Sequence, residues 1–115
     1  MKKFSEWNKA AKQERILLTR CREHIRKIDP HTTVILYGSR ARGDCDPESD
    51  YDLLVLVDKP VTLEQEDFIR RQLFPVEIET GHVFTVSVYS YQQWASSLYQ
   101  AMPFHQNVEK YGVIL

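Results

Sequence analysis

The stretch from Thr33 to Val57 restricts the fold of this chain more than any other. It begins with Thr33-Val34-Ile35-Leu36-Tyr37, β-branched and aromatic with little alternation. Such a run predicts a central strand covered on both faces. Gly38-Ser39 follows, then the short basic segment Arg40-Ala41-Arg42-Gly43. Gly38 allows a sharp turn and lets a ligand approach the backbone closely. Ser39 sits where a short helix begins. It can cap that helix, and its N–H and hydroxyl can also meet a phosphate oxygen. Asp44 to Ser49 has the composition of a turn-forming loop, and a second strand is predicted from Asp50 to Val57. On it Asp50, Asp52, Leu54 and Leu56 share one face, and Tyr51, Leu53, Val55 and Val57 the other. Two neighbouring carboxylates at the head of a buried strand repel each other unless a cation joins them. Beside a Gly-Ser turn, that pair suits a divalent metal and a nucleoside triphosphate. One of Arg40 and Arg42 is expected to clamp phosphate and the other to brace the acidic loop; the spacing does not say which.

The rest of the chain reads as support for this stretch. At 115 residues one domain spanning 1–115 with a modest core is expected. A net charge of −1 gives no global field for nucleic acid or an anionic membrane, so anion binding has to be local. No apolar run approaches the length of a membrane span, and Met1-Lys2-Lys3-Phe4-Ser5-Glu6 turns charged again too soon for a secretory signal. Cys21 and Cys45 lie far apart without metal-ligand spacing and are expected as free thiols in a reducing, cytoplasmic setting.

Residues 5–28 predict a long helix with Leu18, Cys21, Ile25 and Ile28 as its apolar stripe, ended by Asp29-Pro30. Thr62-Leu63-Glu64-Gln65 fits a capping box and predicts a helix to about Leu73. Val76-Glu77-Ile78-Glu79-Thr80 alternates and predicts a strand, with Gly81-His82 as a turn into a second strand over Val83–Tyr89. In that hairpin Phe84, Val86 and Val88 face the core with Val76 and Ile78. Glu77, Glu79, Thr85 and Ser87 take the opposite face. Ser90 caps a further helix carrying Trp94 and Leu98, stopped by Pro103, and residues 104–115 form a tail. The expected fold is α/β (α+β), a mixed sheet of about four strands with helices mainly on one face.

Gly38-Ser39-Arg40-Ala41-Arg42-Gly43 together with Ser49-Asp50-Tyr51-Asp52-Leu53 resembles the signature of the polymerase-beta-like nucleotidyltransferases. The similarity is to their minimal bacterial branch, with its pattern G-S-x-A-R-G, a short acidic loop, then S-D-x-D-L. The signature covers about residues 33–58. The resemblance implies Mg²⁺-dependent transfer of a nucleoside monophosphate from an NTP, with ATP expected, to an acceptor hydroxyl, releasing pyrophosphate. It assigns Asp50 and Asp52 to metal and catalysis, and Gly38, Ser39, Arg40 and Arg42 to the nucleotide. It also implies an alternative, a weak or inactive nucleotide-binding module acting as the antitoxin-like partner of a HEPN-domain protein. At this length no separate acceptor-binding domain is expected, so the acceptor is expected to be small or to be a protein that brings its own recognition surface. The family's catalytic form takes a third carboxylate from a later strand, because two metal ions roughly 3.5–4 Å apart need further anionic oxygens. Here the strand leading into Ser90 carries Thr85 and Ser87. Either Glu77 or Glu79 supplies the third acid from the hairpin, with Glu77 opposite Thr85 if the connection has three residues, or the site binds nucleotide and transfers slowly or not at all.

Overall fold

The computed structural model describes residues 1–115. Its centre is a five-stranded mixed sheet built from β1 (Lys2–Lys3), β2 (Thr33–Tyr37), β3 (Tyr51–Val57), β4 (Phe84–Ser90) and β5 (Val113–Ile114), in the order β1-β5-β2-β3-β4. β2 lies antiparallel to β3 and to β5, whereas β3 runs parallel to β4 and β1 parallel to β5. The mixed sheet is as expected. The additional strands come from the two ends of the chain, where Lys2 pairs with Val113, so the tail after residue 104 is partly strand.

The alternation read from β3 holds. Tyr51, Leu53, Val55 and Val57 join Val34, Leu36, Phe84, Val86 and Val88 in a core of 19 buried residues on one face. This core is covered by α1 (Lys12–Arg26), α3 (Leu63–Arg71) and α4 (Phe74–Thr80), through Leu17, Leu18, Cys21, Ile25, Ile69 and Val76, with Leu73 from the link between α3 and α4. On the other face Ile35, Leu54 and Leu56 form a smaller buried cluster of five with Trp94 and Val108, ringed by partly buried aromatics such as Tyr89 and Phe104, so most of the helical cover lies on the first face. The smaller cluster is supplied by α5 (Tyr91–Trp94) and α7 (Pro103–Tyr111), with the one-turn α6 (Ser97–Gln100) between them. Two details differ from expectation here. The helix after Ser90 breaks into α5 and α6, leaving Leu98 72% exposed. Pro103 opens α7 at its first turn, where a missing N–H costs nothing.

The predicted hairpin is replaced by a crossover. Residues 74–80 are helix α4, not a strand. Pro75 sits in its first turn, and Gly81, at φ +75°, closes it in the left-handed region. Val76 is buried while Ile78 is 84% exposed, so the two do not share a face as they would on a strand. Because β4 is parallel to β3, the link between them must cross the sheet, and α3 and α4 make that crossing. The capping box at α3 forms as expected: Gln65 N–H donates to Thr62 Oγ1 (3.2 Å) and Thr62 N–H to Gln65 Oε1 (3.3 Å). The first long helix is shorter than predicted. Phe4–Glu6 is a separate 3₁₀ turn, α1 begins at Lys12, and Ile28 lies past its end at 40% exposure. Both cysteines are free thiols, and burial pushes the Cys21 thiol up to about 12. No helix is long and apolar enough to cross a membrane.

Candidate nucleotide site

β2 ends at Tyr37 and the chain turns at once into α2 (Gly38–Arg42). Gly38 has φ +75°, a conformation that favours glycine. The reason for glycine is also spatial. A Cβ at this position would overlap Asp52 Oδ2 and lie 3.2 Å from Asp52 Cγ. The turn and the second aspartate are therefore pressed together, as their spacing predicts. Ser39 is the second residue of α2 and half-buried. Gly43, in the left-handed region at φ +79°, closes the helix by donating to Ser39 O (2.9 Å).

Asp50 is exposed just ahead of β3, and Asp52 is half-buried on the strand. Asp52 carries a raised pKa. Burial is the larger cause and the neighbouring Asp50 charge adds to it, while Arg42 opposes both. Neither aspartate takes part in any ion pair of the molecule. Two neighbouring carboxylates without a cationic partner, one of them raised by the other, form a donor set suited to a hard divalent cation such as Mg²⁺.

The two arginines divide their work in a way that spacing left open. Arg40 is buried at 7% exposure. Its Nε and Nη2 donate to Ser49 O (3.1 and 2.8 Å), and Nη2 also reaches Pro47 O (2.8 Å). The guanidinium lies 4.3 Å from the Tyr51 ring centre and 3.7 Å from Glu14 Oε2. Its donors are consumed in tying the acidic loop to α2, so Arg40 is a brace and does not reach out to a phosphate. Arg42 stays at the surface, 40% exposed, paired with Asp44 Oδ2 at 3.2 Å. We expect Arg40→Ala to lower stability by about 2–3 kcal/mol through the lost charged hydrogen bonds, whereas Arg42→Ala leaves the melting temperature unchanged and weakens triphosphate binding. Thermal melts with and without ATP read both.

Glu77, expected as a third carboxylate, is not in this group. It lies on α4, where its Oε2 accepts from Phe84 N–H (3.0 Å), and its charge acts on Cys21 of the larger core. Glu79 is spent on Arg20 at 2.5 Å. The cause is the change of element: the hairpin that would have put Glu77 opposite Thr85 does not exist. The register partner of Asp52 on β4 is Thr85 itself, and on β2 it is Tyr37. Glu77→Gln is therefore expected to leave metal and nucleotide affinity unchanged, while Glu77→Ala, which frees the start of β4, lowers the melting temperature. Calorimetric titration and a thermal melt separate the two effects.

Several supporting residues carried no signal in the sequence. Trp7 is buried, and its indole N–H donates to Ala41 O of α2 at 3.0 Å. Glu14 accepts from Tyr51 O–H at 3.1 Å behind the Arg40 brace. Tyr37 stands beside Asp52 and shares a 3.4 Å hydroxyl contact with Ser87. Burial, with Asp52 as a lesser cause, raises the Tyr37 pKa. The bonds of Trp7 to Ala41, Tyr51 to Glu14 and Tyr37 to Ser87 join residues more than 30 positions apart, which periodicity does not report.

Comparison with known proteins points to a family. A family model described as a nucleotidyltransferase domain matches residues 18–110. Over 36 residues the chain is 56% identical to a protein of Methanocaldococcus jannaschii named "Putative protein adenylyltransferase". That stretch is 31% of this chain and 36% of the relative, so the match spans about a third of either protein.

Proposed function

Taking as premise that the chain belongs to the nucleotidyltransferase domain family, we propose that it transfers a nucleoside monophosphate from ATP to an acceptor hydroxyl with Mg²⁺. The observation that carries this reading is the packing of Gly38 against Asp52 Oδ2, with Asp50 alongside and both carboxylates free of ion pairs. Asp50 and Asp52 would hold the cation. Backbone N–H groups at Gly38 and Ser39, with the Ser39 hydroxyl, would receive the outer phosphates. Arg42 would offset charge on the departing pyrophosphate. When bound, the metal neutralises triphosphate charge and orients the α-phosphorus. The acceptor oxygen would form a bond to that phosphorus, the bond to pyrophosphate would break, and the acceptor's hydroxyl proton would pass to solvent. The chain contributes placement and fixed charge, the two terms that dominate in-line displacement at phosphorus. The printed name of the Methanocaldococcus relative favours a protein as the acceptor, and the reaction belongs to the cytoplasm.

The experiment is incubation with ATP labelled on the α-phosphate, Mg²⁺ and a lysate of the host. Label transferred to an acceptor, and lost when EDTA is added, supports the proposal. A second reading is favoured by one observation, the neutral Thr85 in register with Asp52. In it the site binds nucleotide without turnover and the chain acts as an antitoxin-like partner of a HEPN-type protein. Metal-dependent ATP binding with no label transfer selects this second reading, and absence of both rejects the nucleotide site.

A further inference from the structure

On the sheet face that carries Asp52, the flanking register positions are held by Tyr37 on β2 and Thr85 on β4. Thr85 is exposed, so the space beside Asp52 on that flank is open to solvent and lined by a hydroxyl. Four other carboxylates are already bonded elsewhere. Glu14 holds Arg40 and Tyr51, Asp44 holds Arg42, Glu77 holds the Phe84 N–H, and Glu79 holds Arg20. No group of three or more His, Cys, Asp or Glu side chains is placed to hold a metal.

Two divalent cations held within about 3.5–4 Å of each other repel strongly, and they coexist only where several anionic oxygens bridge and flank them. One cation can be met by Asp50 and Asp52 together with the oxygens of its own triphosphate. A second would need a further anionic oxygen from this chain, and the exposed register neighbour of Asp52 on β4 is the position beside it that could supply one. Thr85 offers only a neutral hydroxyl, a weak ligand for a hard cation that sheds water reluctantly.

We propose that Thr85 limits this site to a single divalent cation, the one carried in with the nucleotide. The inference rests on the nucleotide-site reading given above and adds to it the number of ions and the residue that sets that number. Thr85 therefore determines metal stoichiometry.

The test is a Mn²⁺ titration of the full chain in the presence of a non-hydrolysable α,β-methylene analogue of ATP, read by calorimetry and by the electron spin resonance of Mn²⁺. Wild type and Thr85→Asn are expected to bind one Mn²⁺ per chain, with the spectrum of an isolated ion. Thr85→Asp adds a carboxylate in register with Asp52 and is expected to bind two, with the spin–spin broadening of close neighbours. The exposure of Thr85 makes the change tolerable to the fold, and a melting curve checks this. Two ions in wild type would overturn the inference and leave the nucleotide site standing. One ion in a folded Thr85→Asp variant would overturn it as well, since Thr85 would not then be the determinant. No Mn²⁺ in either protein would reject the nucleotide site itself, and this inference with it.

Discussion

Asp52→Asn is expected to reduce metal-dependent nucleotide binding and transfer by roughly a hundredfold or more, the scale seen when one preorganised charge is removed from a reacting centre. The same substitution should not weaken the fold. Asp52 has a raised pKa in the folded chain because burial and Asp50 both disfavour its charge. Relative to the protonated carboxyl, folding is then most favoured below the unfolded pKa, near 3.8. That advantage is lost as pH rises through the folded value. At neutral pH, without metal, the ionised Asp52 is a burden that asparagine removes. The metal-free variant should melt at or above wild type, and added Mg²⁺ and ATP should raise the melting temperature of wild type alone. Because the ion needs the carboxylate, binding in wild type should fall on acidification at a higher pH than for an ordinary exposed aspartate. A drop in the metal-free melting temperature of Asp52→Asn would make Asp52 a structural partner and not an ion ligand.

Gly38→Ala should produce the largest combined loss. An alanine at φ +75° carries the left-handed penalty of about 1–2 kcal/mol. Its methyl group would also collide with Asp52 Oδ2. The backbone of Asp52 is held by pairing on both sides of β3, so relief has to come from the carboxylate or from α2. The methyl therefore either displaces the ion ligand or pushes α2 away from the sheet, taking the Ser39 backbone with it. Both outcomes reduce nucleotide affinity, and the first also lowers metal affinity. Thermal melts combined with ATP and Mn²⁺ titrations measure this. A Gly38→Ala protein with wild-type melting and wild-type affinities would show that the close approach of turn and carboxylate has no functional weight.

The parts of this arrangement that were legible in the sequence are those set by local rules. The apolar run of β2, the Gly-Ser turn and the two-residue period of β3 are decided within a few residues, and all three formed as read. The Thr62 cap formed for the same reason. Val76 to Thr80 failed because V-E-I-E-T alternates like a strand while Pro75 and Gly81 frame it as a helix. Length and framing outweighed the period once β4 was drafted parallel to β3. The place of Glu77 depended wholly on that choice. The division between Arg40 and Arg42 was also illegible, because it is decided by where Pro47, Ser49, Tyr51 and Glu14 lie in space. Trp7 gave no sign of its role, since its hydrogen-bond partner Ala41 is 34 residues away.

The pairing of Lys2 with Val113, and of β5 with β2, has a bearing on biosynthesis. While the chain is being made, β2 can already pair with β3, and β4 can dock once its crossover helices have emerged. The other side of β2 stays unzipped until residues 113–115 leave the ribosome, when Leu115 N–H reaches Val34 O. Until then the emerging domain carries an open flank beside Ile35 and Leu36, and pairing with β5 closes it.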